Sequence, residues 1–346
     1  MASKTKIPTP EKSDPRTAAG LHLSDFTGRL LPEAFTNAAA TFVDSLKINT
    51  VSEKTRRGRR IIVKRRNPYG EQLAELANLY FRLAKIPIRF WSRTEDWRRW
   101  EMECFKMLNG DRFRVSAPGN NVLCFDKLPG RSLWERLNEG TLTRPMMEAA
   151  GRELLRAHQF WSEEFSGPWS HGDAGLPNVI YDEETDRARL IDFELVHEKS
   201  LPTLARQADD LLVFLLDLLA LGPDSQWLAL ALAFLNAYGR AAVIAQLKNQ
   251  LALPSGMAWI WWGVRTSFAS NPVKLKKRLD KLRDVAGHLG YYRAFAARRL
   301  RQKRRASSSC QVTSAGMPMP ISRARQTNES ANAPSPEMPS KLPITK

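Results

Sequence analysis

An aspartate and an asparagine five residues apart, with a second aspartate fourteen residues further on, form the part of this sequence best suited to chemistry. They are Asp173, Asn178 and Asp192, within SHGDAGLPNVIYDEETDRARLIDFE. The turn-rich DEETD between NVIYD and RARLIDFE predicts two short strands folded back on each other. Such a hairpin returns Asp192 to the neighbourhood of Asn178. A carboxylate and an amide carbonyl are hard oxygen donors of the kind Mg²⁺ takes, with its other positions left to water and phosphate oxygens. Asp173, held close by, is placed to accept or orient the proton of an acceptor hydroxyl during phosphoryl transfer.

The elements that must position these residues are legible in outline. RRIIVKRR at 59–66 is a β-branched run and predicts a strand. Apolar residues at helical spacing predict helices over 71–84 and 96–108. NNVLCFDKL at 120–128 reads as a strand closed by Pro129-Gly130, followed by a short helix in SLWERLNEG that Gly140 ends. A longer helix is expected over 144–161, and from about residue 203 the pattern is helical. A β-rich first part and a helix-rich second part make an α+β, two-lobed plan.

HGDAGLPN together with LIDFE resembles the catalytic and metal-binding loops of the protein-kinase-like superfamily, in its aminoglycoside-phosphotransferase and lipopolysaccharide-core-kinase branch. Gly172 and Glu194 stand where protein kinases carry Arg and Gly. The resemblance implies ATP and Mg²⁺ as cofactors, Asp173 as the catalytic carboxylate, and Asn178 and Asp192 as metal ligands. It further implies that Lys64 in IIVKRR holds the nucleotide phosphates and that Glu101 pairs with it, with Glu103 as the alternative. Phe125, Asp126 and Lys127 match the hinge whose backbone groups bond the adenine edge. His171 is expected to brace its own loop, and Asp210 (or Asp209) to brace that loop from below. No glycine-rich loop precedes Lys64; only Gly58 stands there, too near the lysine to fold over phosphates.

The net charge of +17 and a pI near 10.1 favour anionic partners. Three cysteines, Cys104, Cys124 and Cys310, form no CxxC pair, which argues against a disulfide framework or zinc ribbon. His22, His158, His197 and His288 show no metal-ligand spacing. The N-terminal segment lacks the apolar stretch of a signal peptide, and Asp217 interrupts the apolar run LLVFLLDLLALG. The expectation is a cytoplasmic protein. Its basic stretch over 274–305, after the tryptophan-rich AWIWWG, suits peripheral contact with an anionic inner membrane face, and more remotely nucleic acid.

The expected organisation is a disordered segment over 1–20, an N-terminal lobe over 21–121, a C-terminal lobe with a basic helical end over 122–305, and a low-complexity tail over 306–346. The expected activity is transfer of the γ-phosphoryl group of ATP to a hydroxyl of a sugar, glycolipid or small alcohol. Two rivals remain: a protein Ser/Thr kinase, and a pseudokinase that only binds a membrane or nucleic acid through its basic surface.

Overall fold

The β-branched centre of RRIIVKRR places the chain in an extended strand, since side chains branched at Cβ suit a pleated sheet. A computed structural model describes residues 48–253 apart from 57 and 84, together with 262, 263, 265, 266 and 269–286. The segments expected over 1–20 and 306–346, and the basic stretch beyond residue 286, lie outside the described residues.

The described residues open with Asn49–Arg56 (β1) and Arg59–Arg66 (β2), an antiparallel hairpin. Gly58 turns it, with a φ of +75°. Gly70–Leu83 (α1), Ile88–Phe90 (β3) and Thr94–Asn109 (α2) follow. Val115–Gly119 (β4) and Val122–Asp126 (β5) complete a four-stranded antiparallel sheet in the order β1-β2-β5-β4. The short strand Arg131–Ser132 (β6) leads into Leu133–Asn138 (α3), whose start is a capping box: Glu135 N–H donates to the Ser132 hydroxyl, while the Glu135 carboxylate accepts the Ser132 N–H.

Arg144–Ala157 (α4) starts with a proline in its first turn. It stops four residues short of the expected end at 161. The chain turns at His158–Phe160 so that Trp161–Ser162 (β7) pairs with Gly167–Pro168 (β8). Val179–Asp182 (β9) and Arg187–Leu190 (β10) form the expected hairpin, with β6 on its open edge. Leu195–His197 (β11) reaches back to pair with β3. Thr203–Leu221 (α5), Trp227–Tyr238 (α6), Ala241–Gln250 (α7) and a helix over 272–286 (α8) follow. The fold is α+β, with small antiparallel sheets and a predominantly helical second part.

One apolar core runs from Trp97, Phe105 and Leu123, on α2 and β5, to Leu215, Phe234 and Leu247 in the later helices. A smaller cluster of Ile48, Ala74, Ala77, Phe81, Ile88 and Phe90 lies under α1. Asp217, which breaks the apolar run of α5, is buried with a purpose: its carboxylate accepts the Leu176 N–H at 3.1 Å, at the 3-10 turn Leu176–Asn178. No helix among the described residues is long and apolar enough to cross a membrane.

Candidate active site

Lys64 stands on β2 with its side chain buried, and three carboxylates meet its ammonium. Nζ lies 2.5 Å from Oε1 of Glu101 on α2, 2.5 Å from Oδ1 of Asp192, and 3.2 Å from Oε2 of Glu194. Burial disfavours the lysine's charge, but Asp192, Glu101 and Glu194 outweigh it and hold its pKa well above the ordinary value. Glu101 responds the other way. Burial raises it, Lys64 pulls it down, Asp192 pushes it up again, and the balance lies at about 7. Glu103 is exposed, so α2 turns Glu101 and not its near neighbour inward. Glu194 also accepts a hydrogen bond from the Asn49 side chain at the start of β1. The strand lysine, the hairpin and the loop after β10 are thus tied at one point.

The loop that carries Asp173 is held through its backbone. Asp210 on α5 accepts the His171 N–H and the Gly172 N–H, each at 2.8 Å, and the His158 Nε2–H at 3.0 Å. Tyr238 completes the chain, its hydroxyl donating to His158 Nδ1 at 2.8 Å. Asp210 and His158 are both fully buried, so these bonds form in a low-dielectric setting where charge-assisted contacts are strong. His171 has a defined tautomer. Asp173 N–H donates to its Nδ1 at 3.2 Å, which leaves Nε2–H to donate to the Ile191 carbonyl at 3.0 Å. The ring thereby links the Asp173 loop to the residue before Asp192.

Asn178 donates through Nδ2 to the Asp173 carbonyl at 2.8 Å and to its carboxylate at 3.1 Å. With the amide nitrogen so used, the carbonyl oxygen of Asn178 is the atom left for a cation. Ile191 N–H donates to the Asn178 backbone carbonyl at 3.0 Å, which sets Asp192, just past β10, close to Asn178, just ahead of β9. Asp192 itself has a φ of +64°, a left-handed conformation uncommon for a non-glycine residue. The Asp173 pKa is pushed up to about 6, first by burial and then by Asp192, against the pull of Arg265.

The cleft beside Lys64 has a volume of about 910 Å³ and is walled by Ile62, Phe105, Phe125, Leu128, Ile180 and Ile191. Asp192 and Glu101 line it; Asp173 and Asn178 do not. Phe125, Asp126 and Lys127, the expected hinge residues, all line the cleft. Asp126 N–H donates to the Arg114 carbonyl at 2.9 Å, and Lys127 N–H to the Arg60 carbonyl at 3.0 Å. Sheet pairing has already engaged both donors, so neither is available to a ligand. The next donor, the Leu128 N–H, has no partner among the described residues and borders the cleft. Phe125 presents its ring, packed on Phe105 with centroids 5.0 Å apart.

Sequence reasoning missed a second network. Asp209, beside Asp210, accepts both arms of the Arg265 guanidinium at 2.6 Å and the His197 Nε2–H at 3.1 Å. His197 Nδ1 accepts the Ser170 hydroxyl at 3.0 Å. Tandem aspartates on one helix therefore serve two separate clamps. The sequence signal for this was the DD pair itself.

No protein-family model matches the chain, and no curated protein does. Among solved structures the chain is similar to the erythromycin complex of the Rv3197 protein from Mycobacterium tuberculosis, with 15% identity over 68% of this chain and 74% of that one, at a TM-score of 0.32. Overlap at that level leaves the reading of the site to its own geometry.

Proposed function

We propose that the chain is an ATP- and Mg²⁺-dependent phosphotransferase with a two-lobed, protein-kinase-like arrangement, acting on a hydroxyl of a sugar, a glycolipid or a small alcohol. The observation that carries this reading is the buried Lys64 gathered between Glu101, Asp192 and Glu194 at the edge of an apolar cleft. Stability alone does not explain such an arrangement, because desolvating several charges together costs about as much as their attraction returns.

The charges support a divalent cation. Lys64 faces Glu101, Asp192 and Glu194, and Asp173 adds a fourth carboxylate nearby. Carboxylates outnumber the ammonium at this point, and every available donor is a hard oxygen, which suits Mg²⁺. Asn178 and Asp192 would hold it, and when bound it would neutralise phosphate oxygens. Lys64, once released from Asp192, reaches the phosphates while Glu101 keeps it oriented. Phe125, Ile62 and Ile180 enclose a planar base, and the Leu128 N–H offers it an edge donor. Asp173 receives the acceptor's proton, and Asp210 and His171 fix where Asp173 stands.

A non-protein acceptor is favoured because Gly172 replaces the arginine with which protein kinases read a phosphorylated activation loop. Peripheral contact with an anionic membrane belongs to the same proposal. On α8, Lys276, Lys277 and Lys281 are exposed, whereas Arg278 is buried and bonded to Asp224 and the Leu219 carbonyl. Part of the basic stretch is therefore structural; Lys276 pairs with Asp280 at 2.7 Å, and Lys277 and Lys281 are exposed to a partner.

The test is calorimetric titration with ATP, with and without Mg²⁺, followed by an ATP-consumption screen over aminoglycosides, choline-like alcohols, lipopolysaccharide core sugars and a generic protein. Mg²⁺-dependent binding and turnover with one hydroxyl class is the expected result. Absence of nucleotide binding under both conditions refutes the reading.

A further inference from the structure

The loop HGDAGLPN contains no lysine or arginine, and Lys64 is engaged on the nucleotide side of the site. Phosphoryl transfer nevertheless brings a polyanion towards Asp173, in a region already holding Asp192, Glu194, Asp209 and Asp210. A cation on the acceptor side is needed to offset that charge. Among the described residues, Arg265 is the cation whose charge lowers the Asp173 carboxyl. It arrives from far along the chain, on a turn where Thr266 N–H and its hydroxyl both bond the Trp262 carbonyl, at 3.0 and 2.7 Å. Trp262 is buried, so this turn is anchored.

The guanidinium grips Asp209 with two bonds of 2.6 Å, the fork-on-carboxylate geometry that only arginine offers. Asp209 precedes the residue that holds the His171 and Gly172 amides. His197 carries the same network to Ser170, the residue before His171. Arg265 is thus linked through Asp209 and His197 to Ser170, and Asp209 stands next to the loop's brace Asp210. Its charge also reaches Asp173, where it is the cation that lowers the carboxyl against burial and Asp192, and Asp173 in turn helps keep Arg265 charged.

We propose that Arg265 is a positioning residue for phosphoryl transfer: pinned by Asp209, it holds one positive charge on the acceptor side and sets the stance of the Asp173 loop. This rests on the phosphotransferase reading above. In the transfer, the acceptor oxygen bonds to the γ-phosphorus as the bond to the β–γ bridging oxygen breaks. The acceptor's proton passes to Asp173, and the nucleoside diphosphate leaves with the electron pair. Arg265 touches none of these atoms; its charge balances those that gather there.

The experiment uses the full chain and compares wild type with Arg265→Met, Arg265→Lys, Asp209→Asn and the double variant Arg265→Met/Asp209→Asn. ADP release gives kcat and KM with the best acceptor of the screen, a fluorescent ATP analogue gives Kd, and thermal melts report folding. Arg265→Met should lower kcat by about 10- to 100-fold, the usual effect of removing a residue that orients a catalytic one. Nucleotide Kd should stay within about twofold, because Lys64 and Asp192 are untouched. Arg265→Lys should recover part of the loss, and the double variant should be no slower than the slower single one, since the two residues act as a unit. Wild-type kcat in Arg265→Met overturns the proposal, as does equal loss of kcat and melting temperature in Arg265→Lys and Arg265→Met. If Arg265→Met does not fold, Arg265→Lys and Asp209→Asn decide, and wild-type kcat in both overturns it. A wild-type protein that neither binds nor turns over ATP overturns the phosphotransferase reading and this proposal together; wild-type turnover with unaffected variants overturns this proposal alone.

Discussion

Asp210 holds Gly172 from beneath, its Oδ1 accepting the Gly172 amide proton at 2.8 Å while the glycine sits at φ +89°. A Cβ at that position would lie 2.5 Å from the Leu195 carbonyl oxygen. Gly172→Ala therefore meets both a left-handed backbone and a fixed carbonyl. It should lower stability by about 2 kcal/mol or more, read as a fall in the urea midpoint. An unchanged midpoint would show that the loop relaxes around the methyl group.

Removing the brace has a larger effect. Asp210→Ala leaves two buried amides and His158 without their acceptor, and each orphaned buried donor costs about 1–3 kcal/mol. The loss should exceed that of Gly172→Ala in the same denaturation experiment. Burial alone would raise the Asp210 pKa, but its bond to His158 and the nearby imidazoles outweigh burial and hold it below the usual carboxylate range. A carboxylate with a depressed folded-state pKa contributes stability above its unfolded pKa and loses it as pH falls through the folded value. Wild type should thus lose stability steeply below about pH 4, and Asp210→Ala should show a shallower acid slope.

Asp173→Asn should retain nucleotide binding and lose turnover by about 10²-fold or more. Asp173 must be deprotonated to accept a proton, so kcat/KM for the wild type should rise with pH on a limb centred near 6. Burial first, then Asp192 and Glu194, push that limb up, and Arg265 and Asn178 pull it down. A flat profile between pH 5 and 8 would contradict the role given to Asp173.

Asp192→Ala should abolish the gain in ATP affinity that Mg²⁺ brings, while the melting temperature changes little, because the Asp192 side chain is more than a third exposed. Lys64→Met differs: it leaves buried Glu101 without its counter-charge, so it should weaken ATP binding and lower stability together. Equal melting temperatures for Lys64→Met and wild type would show that the ion pair is immaterial to the fold.

The lysines exposed on α8 give a further test. Co-sedimentation with anionic vesicles should exceed that with neutral ones and weaken with added salt, since such attraction is screened over about 8 Å at physiological ionic strength. Equal binding to both vesicle types, or binding to neither, removes the membrane contact.

What could be read in the sequence follows from which contacts are local. The strand over 59–66 and the β9–β10 hairpin announce themselves through β-branched runs and turn residues within a few positions. Asp173, Asn178 and Asp192 were legible because one hairpin brings them together. β1 was not, since NTVSEKTR is exposed along almost its whole length and has no apolar alternation to read. The pairing of β3 with β11, and the clamp of Arg265 on Asp209, join residues far apart in the chain and leave no periodic trace. Which backbone groups Asp126 and Lys127 leave free was illegible for a related reason. Their side chains suggested nothing about which backbone donors the neighbouring strands had already taken.

Lys64 sits where a bound cation would otherwise balance Asp192, so the chain carries its own internal counter-ion. Metal-dependent folds such as zinc fingers collapse under chelation because nothing replaces the ion's charge. Here the ammonium does so at 2.5 Å. If the proposed phosphotransferase reading holds, chelator treatment should stop turnover while leaving the melting temperature unchanged, and added Mg²⁺ should restore turnover without a refolding step. On the proposed reading, Asp192 would take up a cation in place of the lysine, which would leave Lys64 free to meet the nucleotide.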